Sequence, residues 1–138
     1  MPSIFQHFAA RVDPAEYMAR LALPDLFLDT FPYNAGTIAS DAIRMGLPLL
    51  TLRGESFASR MASRLLDAIG AEEGIAGSLH DYVETAIRLA TDTPAHARFR
   101  ALFTQQRWAE TIGDIAGFTD SYEATLIRIQ AALTLPRA

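Results

Sequence analysis

Apolar residues in the first half of the chain switch between short continuous runs and helical spacing. The runs at Leu26–Leu28 and Pro48–Leu52 are closed by turn-forming residues, and they predict two buried parallel strands. Helical spacing predicts helices over Asp13–Leu23, Thr37–Met45 and Ser56–Ile69, and a glycine follows each of the last two. Strands that alternate with helices indicate a parallel sheet joined by right-handed crossovers.

The second half of the chain predicts helices only. Ser78, with Asp81 three residues later, resembles a capping box and opens an amphipathic helix. A further helix is predicted over Thr93–Thr111, because a proline stands in its first turn, where proline is well tolerated. The stretch Gly113–Gly117 predicts a break, after which Thr119 is expected to cap the last helix. We expect this half to cover a face or an edge of the sheet.

These elements predict a single α/β domain over residues 1–138. Residues 1–75 form its α/β part, a small parallel sheet with flanking helices, and residues 76–138 form a helical C-terminal segment. A length of 138 residues suits one modest core and is too short for two lobes around a cleft. A sheet of about three or four strands is expected to leave an apolar edge uncovered. The apolar run Ser3–Phe8 fits neither a helix nor a strand clearly.

Composition excludes several kinds of chemistry. The chain has no cysteine, and its three histidines, His7, His80 and His96, are scattered, so no metal site is expected. All 12 basic residues are arginines, which excludes Schiff-base chemistry and a phosphate-loop lysine. Any phosphate must therefore meet arginine or backbone amides. A net charge of -4 without a basic cluster argues against a nucleic-acid partner.

Hydropathy and the first residues suggest where the protein works. The longest apolar stretches, at Leu21–Leu28 and Met45–Leu52, are interrupted by proline, aspartate or glycine and are far shorter than a bilayer span. Residues 1–10 carry neither the basic residues nor the long apolar core of a secretory signal peptide. We therefore expect a cytoplasmic protein with no membrane partner.

The loop between the first predicted strand and the next helix is the candidate binding site. Ligands of open parallel sheets bind beyond the carboxyl ends of the strands, where loops lead into helix N-termini. Small residues at Ala35 and Gly36 and the hydroxyl of Thr37 suit the close approach of a diphosphate to unpaired backbone N–H groups. Asp41, one turn later, suits the two hydroxyls of a ribose, and Arg20 suits phosphate charge.

The same residues also have ordinary structural interpretations. Loops rich in Asn, Gly and Thr precede helices in many proteins that bind no phosphate, and Asp41 also complements the dipole of its helix. Glu55 lies in a second glycine-bearing loop before a helix, where an acidic residue is common. Arg60 and Arg64 are expected on the solvated face of the helix that follows. From the residue pattern alone, binding and structural roles both stay open.

A longer pattern resembles a known family, the C-terminal region of O-GlcNAc transferase and of the SPINDLY-like proteins. The segments that carry the resemblance are Asp25–Ala35, Ser40–Ala42, Gly46–Pro48 and Gly54–Arg60. It is close from Phe8 to Gly70 and looser over the final helices. It implies a partial, Rossmann-like C-terminal lobe of a two-lobed GT-B glycosyltransferase. Members of the family transfer N-acetylglucosamine, or fucose in plant SPINDLY, from a nucleotide sugar to Ser or Thr hydroxyls.

The resemblance also implies which residues bind the donor. The family's diphosphate motif, His-Thr-Thr, falls on Gly36, Thr37 and Ile38, so only its middle residue is retained. The family's ribose-binding aspartate falls on Asp41 and its donor-site arginine on Arg20, and both are retained. A UDP-sugar is therefore the expected ligand of these residues, and neither a metal nor a further cofactor is expected.

The residues that the family has and this chain lacks limit the expected function. A donor-site histidine of the family is replaced by Tyr17. The resemblance does not extend to the N-terminal lobe with the proposed catalytic histidine, nor to the phosphate-binding lysine. We therefore expect the donor-binding portion of a protein O-glycosyltransferase, without a catalytic residue, whose partner is a second copy or the missing lobe from another chain. The alternative is a non-enzymatic remnant that acts as a protein-interaction or self-association module.

Overall fold

The structure, a computed structural model of the chain, describes residues 8–134. The ambiguous run Ser3–Phe8 therefore lies outside the described residues except for Phe8. Within the described range, three short strands alternate with helices before the chain continues as helices alone. The α-helices of this range are α1 (Pro14–Leu21), α2 (Thr37–Arg44), α3 (Met61–Ile69), α4 (Leu79–Thr91), α5 (Thr93–Arg100), α6 (Gln105–Glu110) and α7 (Ile115–Thr134). Two short 3-10 helices lie at Ala58–Arg60 and Glu72–Gly74.

The sheet has three parallel strands. Strand β1 is Phe27–Leu28, β2 is Leu49–Leu52 and β3 is Ile75–Ala76, in the spatial order β1-β2-β3. Phe27 lies beside Leu49, and Thr51 lies beside Ile75. The predicted α/β class with a helical C-terminal segment is confirmed, and the predicted boundary between residues 75 and 76 falls within β3.

Two cores lie on opposite faces of the sheet, because successive side chains of a strand point in opposite directions. Leu49 of β2 packs with Ile43 of α2 and Leu66 of α3 in the larger core. Leu50, the next residue, packs with Tyr82 of α4 in the smaller core. Helices α2 and α3 therefore pack on one face of the sheet, whereas α4 contributes to both cores. Because the strands are parallel, the loops that follow them lie together at one edge.

Local sequence signals set several helix ends as predicted. Asp13 caps α1, where its carboxylate accepts hydrogen bonds from two N–H groups of the first turn at 3.0 Å. The Ser78 hydroxyl caps α4 by accepting from the N–H of Asp81 at 3.1 Å and donating to its carboxylate at 2.7 Å. Gly70 ends α3 with a φ of 69°, a left-handed conformation that glycine adopts without strain.

The predicted helix Thr93–Thr111 is two helices, α5 and α6. Between them Phe103 turns into the larger core and is only 4% exposed. Thr104 then adopts an extended backbone and caps α6 by accepting a hydrogen bond from the N–H of Arg107 at 3.1 Å. A buried aromatic side chain and a threonine cap therefore interrupt what the sequence pattern presents as one helix.

The last helix, α7, begins before the residue predicted to cap it. The carboxylate of Asp114 accepts a hydrogen bond from the N–H of Gly117 at 2.9 Å, so Asp114 caps the first turn. Thr119 lies inside α7, and its hydroxyl donates to the carbonyl of Ile115 at 2.8 Å. The predicted break at Gly113–Gly117 therefore ends three residues earlier, at Asp114, because α7 already begins at Ile115.

Helix α7 contributes no described side chain to either core. Its 20 residues nevertheless carry large apolar side chains that are 49% exposed or more. No helix among residues 8–134, α7 included, is long and apolar enough to cross a membrane. An exposed apolar surface of this kind indicates a contact surface. Its members are Ile115, Phe118, Tyr122, Leu126, Ile127, Ile129 and Leu133.

Gly74, directly before β3, provides a test of the core. A methyl group at this position would lie 2.6 Å from the carbonyl oxygen of Leu49 and 2.8 Å from the ring of Phe99. Overpacking a core costs roughly 1–3 kcal/mol, so Gly74→Ala should lower the free energy of unfolding by at least about 1 kcal/mol. Urea unfolding followed by circular dichroism measures this change.

The matched control is Gly77→Ala, because a methyl group at Gly77 would meet no atom within 4 Å. We expect this variant to change the free energy of unfolding by less than about 0.5 kcal/mol. If Gly74→Ala and Gly77→Ala unfold at the same urea concentration, the close packing described at Gly74 is wrong.

Candidate functional site

The carboxylate of Asp29 organises the chain at the end of β1. It is 2% exposed, and its Oδ1 atom accepts hydrogen bonds from the N–H groups of Thr30 and Ala35, both at 2.8 Å. Its Oδ2 atom accepts from the hydroxyl of Thr51 on β2 at 2.7 Å. The backbone carbonyl of Asp29 accepts from the hydroxyl of Tyr82 on α4 at 2.9 Å. One residue thus ties the loop after β1 to β2 and to α4.

Asn34 holds the loop after β1 against the loop after β2. It is fully buried, and its N–H donates to the carbonyl of Ala58 at 3.0 Å. Its side-chain amide donates to the carbonyls of Thr30 at 2.9 Å and Leu52 at 3.4 Å. These bonds fix the path of the chain directly before α2.

Helix α2 begins at the wall of a groove. Gly36 directly precedes Thr37, the first residue of the helix, and Gly36 offers no side chain to cap the N-terminal N–H groups. The groove measures about 650 Å³ and lies between this helix start and the N-terminal end of α3. Thr37 and Ser40 line one side, and Arg60 and Met61 line the other. Its volume falls within the range of small-molecule sites.

Met61 reaches into the space beside Gly36. A Cβ atom at position 36 would lie 2.5 Å from the ε-methyl group of Met61. A residue with a side chain at this position therefore requires Met61 to move. The side chain of Met61 thus fills the space that a side chain at position 36 would occupy.

Asp41 lies on α2 beside Tyr17 of α1. Burial raises the pKa of the Tyr17 phenol above its ordinary value, and the negative charge of Asp41 raises this pKa further. The Tyr17 hydroxyl oxygen is buried and has no hydrogen-bond partner within the described part of the chain. The two side chains therefore interact through charge, and no hydrogen bond joins them.

Arg20 lines a second depression of about 560 Å³ together with Tyr17. Its guanidinium group donates to the carboxylate of Glu16 at 2.6 Å and to the carbonyl of Ala10 at 2.9 Å. Both partners belong to α1 or to the chain just before it. Arg20 is therefore held on the α1 side of the protein.

The five predicted binding residues fall into two groups. Gly36 and Thr37 line the groove between α2 and α3, and Ile38 follows them on α2 with 48% of its surface exposed. Arg20 lines the depression on α1, and Asp41 lies beside Tyr17, which lines that same depression. A single ligand that contacts all five residues has to extend from the groove across α2 to the depression.

Arg60 and Arg64 also line the groove, where the sequence pattern indicated only a solvated helix face. The Nε atom of Arg60 donates to the carbonyl of Ser56 at 3.3 Å. Arg64 has 75% of its side chain exposed and lies 3.4 Å from the carboxylate of Asp67. Arg53 contacts the same carboxylate more closely, at 2.8 and 2.9 Å. Two cations therefore border the start of α2 without a close carboxylate of their own.

A third cavity, of about 430 Å³, lies where the loops after all three strands meet. Glu55 of the loop after β2 lines it, together with Phe31 and Ser78 from the other two loops. Glu55 is exposed and borders this cavity, whereas the groove is lined by other residues. Among residues 8–134, no three His, Cys, Asp or Glu side chains cluster in a way that could hold a metal ion.

Sequence reasoning missed Asp29 and Tyr82 as residues that build the site. A signal was available for Asp29, because an aspartate directly after a buried strand and before a turn often accepts hydrogen bonds from the turn's backbone. Tyr82 gave no local signal. Its hydroxyl contacts a residue 53 positions earlier, and only the packing of α4 on the sheet brings the two together.

The parallel sheet, the helix that starts at its carboxyl edge and the groove beside that helix define an open α/β unit. The profile of glycosyl transferase family 41 matches residues 3–122 of the chain. The chain therefore belongs to this glycosyltransferase family, and the resemblance to O-GlcNAc transferase and SPINDLY is confirmed.

Individual relatives agree with the family assignment. A mutant O-GlcNAc transferase of Thermobaculum terrenum superposes with a TM-score of 0.76 at 30% identity, over 85% of this chain and 22% of that one. A UDP-N-acetylglucosamine–peptide N-acetylglucosaminyltransferase of Caenorhabditis elegans is 34% identical over 89% of this chain. The SPINDLY protein of Petunia hybrida is 32% identical over 80%. The chain spans only 10% and 12% of the lengths of these last two proteins.

Tyr82 and Tyr17 form a matched pair for removing a hydroxyl group. Tyr82 donates a hydrogen bond to Asp29, whereas the buried hydroxyl of Tyr17 has no partner among the described residues. Tyr82→Phe should lower the free energy of unfolding by roughly 1 kcal/mol, the net value of one hydrogen bond. Tyr17→Phe should leave it unchanged or raise it, because a buried unpaired hydroxyl costs stability. Urea unfolding at neutral pH measures both, and a greater loss for Tyr17→Phe contradicts the assignment.

The two phenols should also make the protein sensitive to alkali. Burial raises the pKa of Tyr82, and the charge of Asp29 raises it further, as Asp41 does for Tyr17. The stabilisation that comes from a raised tyrosine pKa is fully present when the pH is below the ordinary tyrosine pKa of about 10, and it is lost as the pH rises above that value. The urea midpoint should therefore fall more steeply above this pH in the parent than in the Tyr17→Phe/Tyr82→Phe double variant. Equal slopes would rule out this contribution.

Proposed function

We propose that the chain is the donor-binding portion of a protein O-glycosyltransferase and that its ligand is a nucleotide sugar of the UDP-N-acetylglucosamine type. One observation carries the proposal: α2 starts with Gly36 and Thr37 at the carboxyl end of β1, on the wall of a groove of about 650 Å³. The class of donor follows from the description of the Caenorhabditis elegans relative. A cytoplasmic location is part of the same proposal.

The start of α2 supplies the contacts that a diphosphate needs. The first N–H groups of a helix have no partner inside the helix, and the helix dipole adds a partial positive charge there. Backbone N–H groups at Gly36, Thr37 and Ile38 do not depend on side-chain identity, so the loss of two motif side chains leaves them in place. The Thr37 hydroxyl, which is retained from the motif, adds a further donor.

Asp41 and Arg20 would bind the nucleoside end of the donor. A carboxylate accepts hydrogen bonds from both hydroxyls of a ribose, and Asp41 lies one turn beyond the helix start. Arg20 uses its two terminal nitrogens on Glu16 and Ala10, but a guanidinium has five N–H donors, so some remain for a ligand. The ligand thus lies across α2, with its phosphates at the groove and its ribose toward α1.

We propose no catalytic residue in this chain. The charged groups that line the groove are Arg60 and Arg64, and a guanidinium group donates hydrogen bonds but accepts none, so neither can act as a base for an attacking hydroxyl. The chain also spans about a tenth of the lengths of its relatives, so most of their residues have no counterpart here. Catalysis would therefore need residues outside the described segment.

A titration with uridine diphosphate tests the proposal. We expect calorimetry to show binding at millimolar nucleotide, and we expect Asp41→Ala to weaken it by roughly tenfold through the loss of hydrogen bonds to the ribose. Asp120→Ala is the matched control, because Asp120 is exposed on α7 and carries the same charge. The absence of binding heat, or equal affinity in parent and Asp41→Ala, would count against donor binding.

A second candidate function is a non-enzymatic module for protein interaction or self-association. The observation that favours it is the exposed apolar surface of α7, which no described element covers. The replacement of two of the three diphosphate-motif residues, at Gly36 and Ile38, points the same way.

Light scattering of the purified chain tests the second candidate. We expect a dimer or a larger species in the parent, because burial of exposed apolar area favours association. Phe118→Ser with Leu126→Ser should shift the population to monomers, since both side chains belong to the exposed surface. A parent that stays strictly monomeric at high concentration would contradict self-association.

A further inference from the structure

We infer that Arg60 and Arg64 hold the diphosphate of the ligand in the groove between α2 and α3. The inference rests on the proposed donor-binding function and deepens it. Neither arginine belongs to the motif positions through which the family resemblance assigns the donor site. Both line the groove that also contains Gly36 and Thr37.

The ligand's charge requires more than the start of α2 offers. A diphosphate carries at least two negative charges near neutral pH, while a helix N-terminus contributes only about half a positive charge. The chain has no lysine, and Thr37 is neutral. Arg20 lies in the other depression, where Glu16 already neutralises it at 2.6 Å. Within the described groove, the full positive charges that face a phosphate at Gly36 and Thr37 are those of Arg60 and Arg64.

Both guanidinium groups are available for a ligand. Arg60 uses its Nε atom on the carbonyl of Ser56, a neutral partner, at 3.3 Å. Arg64 makes only a long contact of 3.4 Å to Asp67, whose carboxylate Arg53 already holds through two shorter bonds. A phosphate oxygen would be a closer and more highly charged partner for each of them.

Both arginines reach the groove from neighbouring parts of the chain. Arg60 ends the short 3-10 helix Ala58–Arg60 directly before α3, Arg64 lies in the first turn of α3, and both line the groove. Two guanidinium groups at one groove can each take one phosphoryl group or share both. Planar guanidinium groups bind phosphate through paired N–H bonds, which a single charged amine cannot do.

Apolar side chains complete the walls around these cations. Met61 and Leu65 line the groove, and Phe57 stands at it with 80% of its surface exposed. These apolar walls suit a ligand whose phosphates are joined to a less polar group, as in a nucleotide sugar.

Calorimetric titration with inorganic pyrophosphate, uridine diphosphate and uridine tests the inference. The variants are Arg60→Gln, Arg64→Gln and the double variant, with Arg98→Gln on the exposed surface of α5 as the matched control. Each groove variant should weaken pyrophosphate and uridine diphosphate roughly tenfold, since each loses charge-assisted hydrogen bonds. Arg98→Gln should bind like the parent, and uridine affinity should be the same in all variants. Circular dichroism confirms that each variant is folded before titration.

The outcomes separate this inference from the function on which it rests. The inference is wrong if Asp41→Ala weakens uridine diphosphate binding but the Arg60→Gln/Arg64→Gln variant binds like the parent. That result would still support the proposed donor site. The inference is supported, and the nucleotide assignment is wrong, if pyrophosphate binding depends on both arginines and uridine diphosphate binds no more tightly than pyrophosphate. If neither phosphate compound binds the folded parent, both proposals fall.

Discussion

The buried carboxylate of Asp29 is the constraint on which the rest of the site depends. A charged group that is removed from water is tolerated only when hydrogen bonds replace its hydration. Asp29 obtains them from the backbone of its own loop, at Thr30 and Ala35, and from Thr51 on the neighbouring strand. The loop must therefore fold back over the end of β1 before α2 can begin, and this path places Gly36 and Thr37 at the groove.

The same constraint fixes the start of α2 without help from the residues that begin the helix. The backbone path before α2 is set by Asp29 and Asn34, and both lie before Gly36 in the chain. The residue at position 36 therefore determines the adjoining space rather than the path of the backbone. Met61, the first residue of α3, occupies that space, so a larger residue at position 36 would require the Met61 side chain to move.

Much of the fold could be predicted from the sequence because its signals are local. The apolar runs at β1 and β2, the Asp13 cap and the glycine after α3 each act within a few residues, and the structure has all of them. The sequence predicts about three or four strands but does not locate β3, because Ile75–Ala76 stands between two glycines and belongs to no longer apolar run. The prediction of a single helix over Thr93–Thr111 was wrong for a different reason. Phe103 turns inward because it packs in the larger core, and no neighbouring residue in the sequence signals this.

The candidate site, like the fold, could be predicted from the sequence only where its signals are local. The position of Gly36 and Thr37 after a strand and before a helix follows from local pattern, and so does their place at the carboxyl edge of the sheet. The position of Arg60 and Arg64 at this edge does not follow from local pattern, because it depends on how α2 and α3 pack. From the sequence they are two charges on an amphipathic helix, which is the usual pattern of a solvated face.

The two candidate functions use separate surfaces and therefore do not compete. The groove lies between α2 and α3, whereas the exposed apolar side chains lie on α7, which contributes to neither core among the described residues. No described residue that lines the groove belongs to α7, so a partner that buries the apolar side chains of α7 does not use the groove residues themselves. Evidence for association through α7 therefore does not by itself argue against ligand binding in the groove.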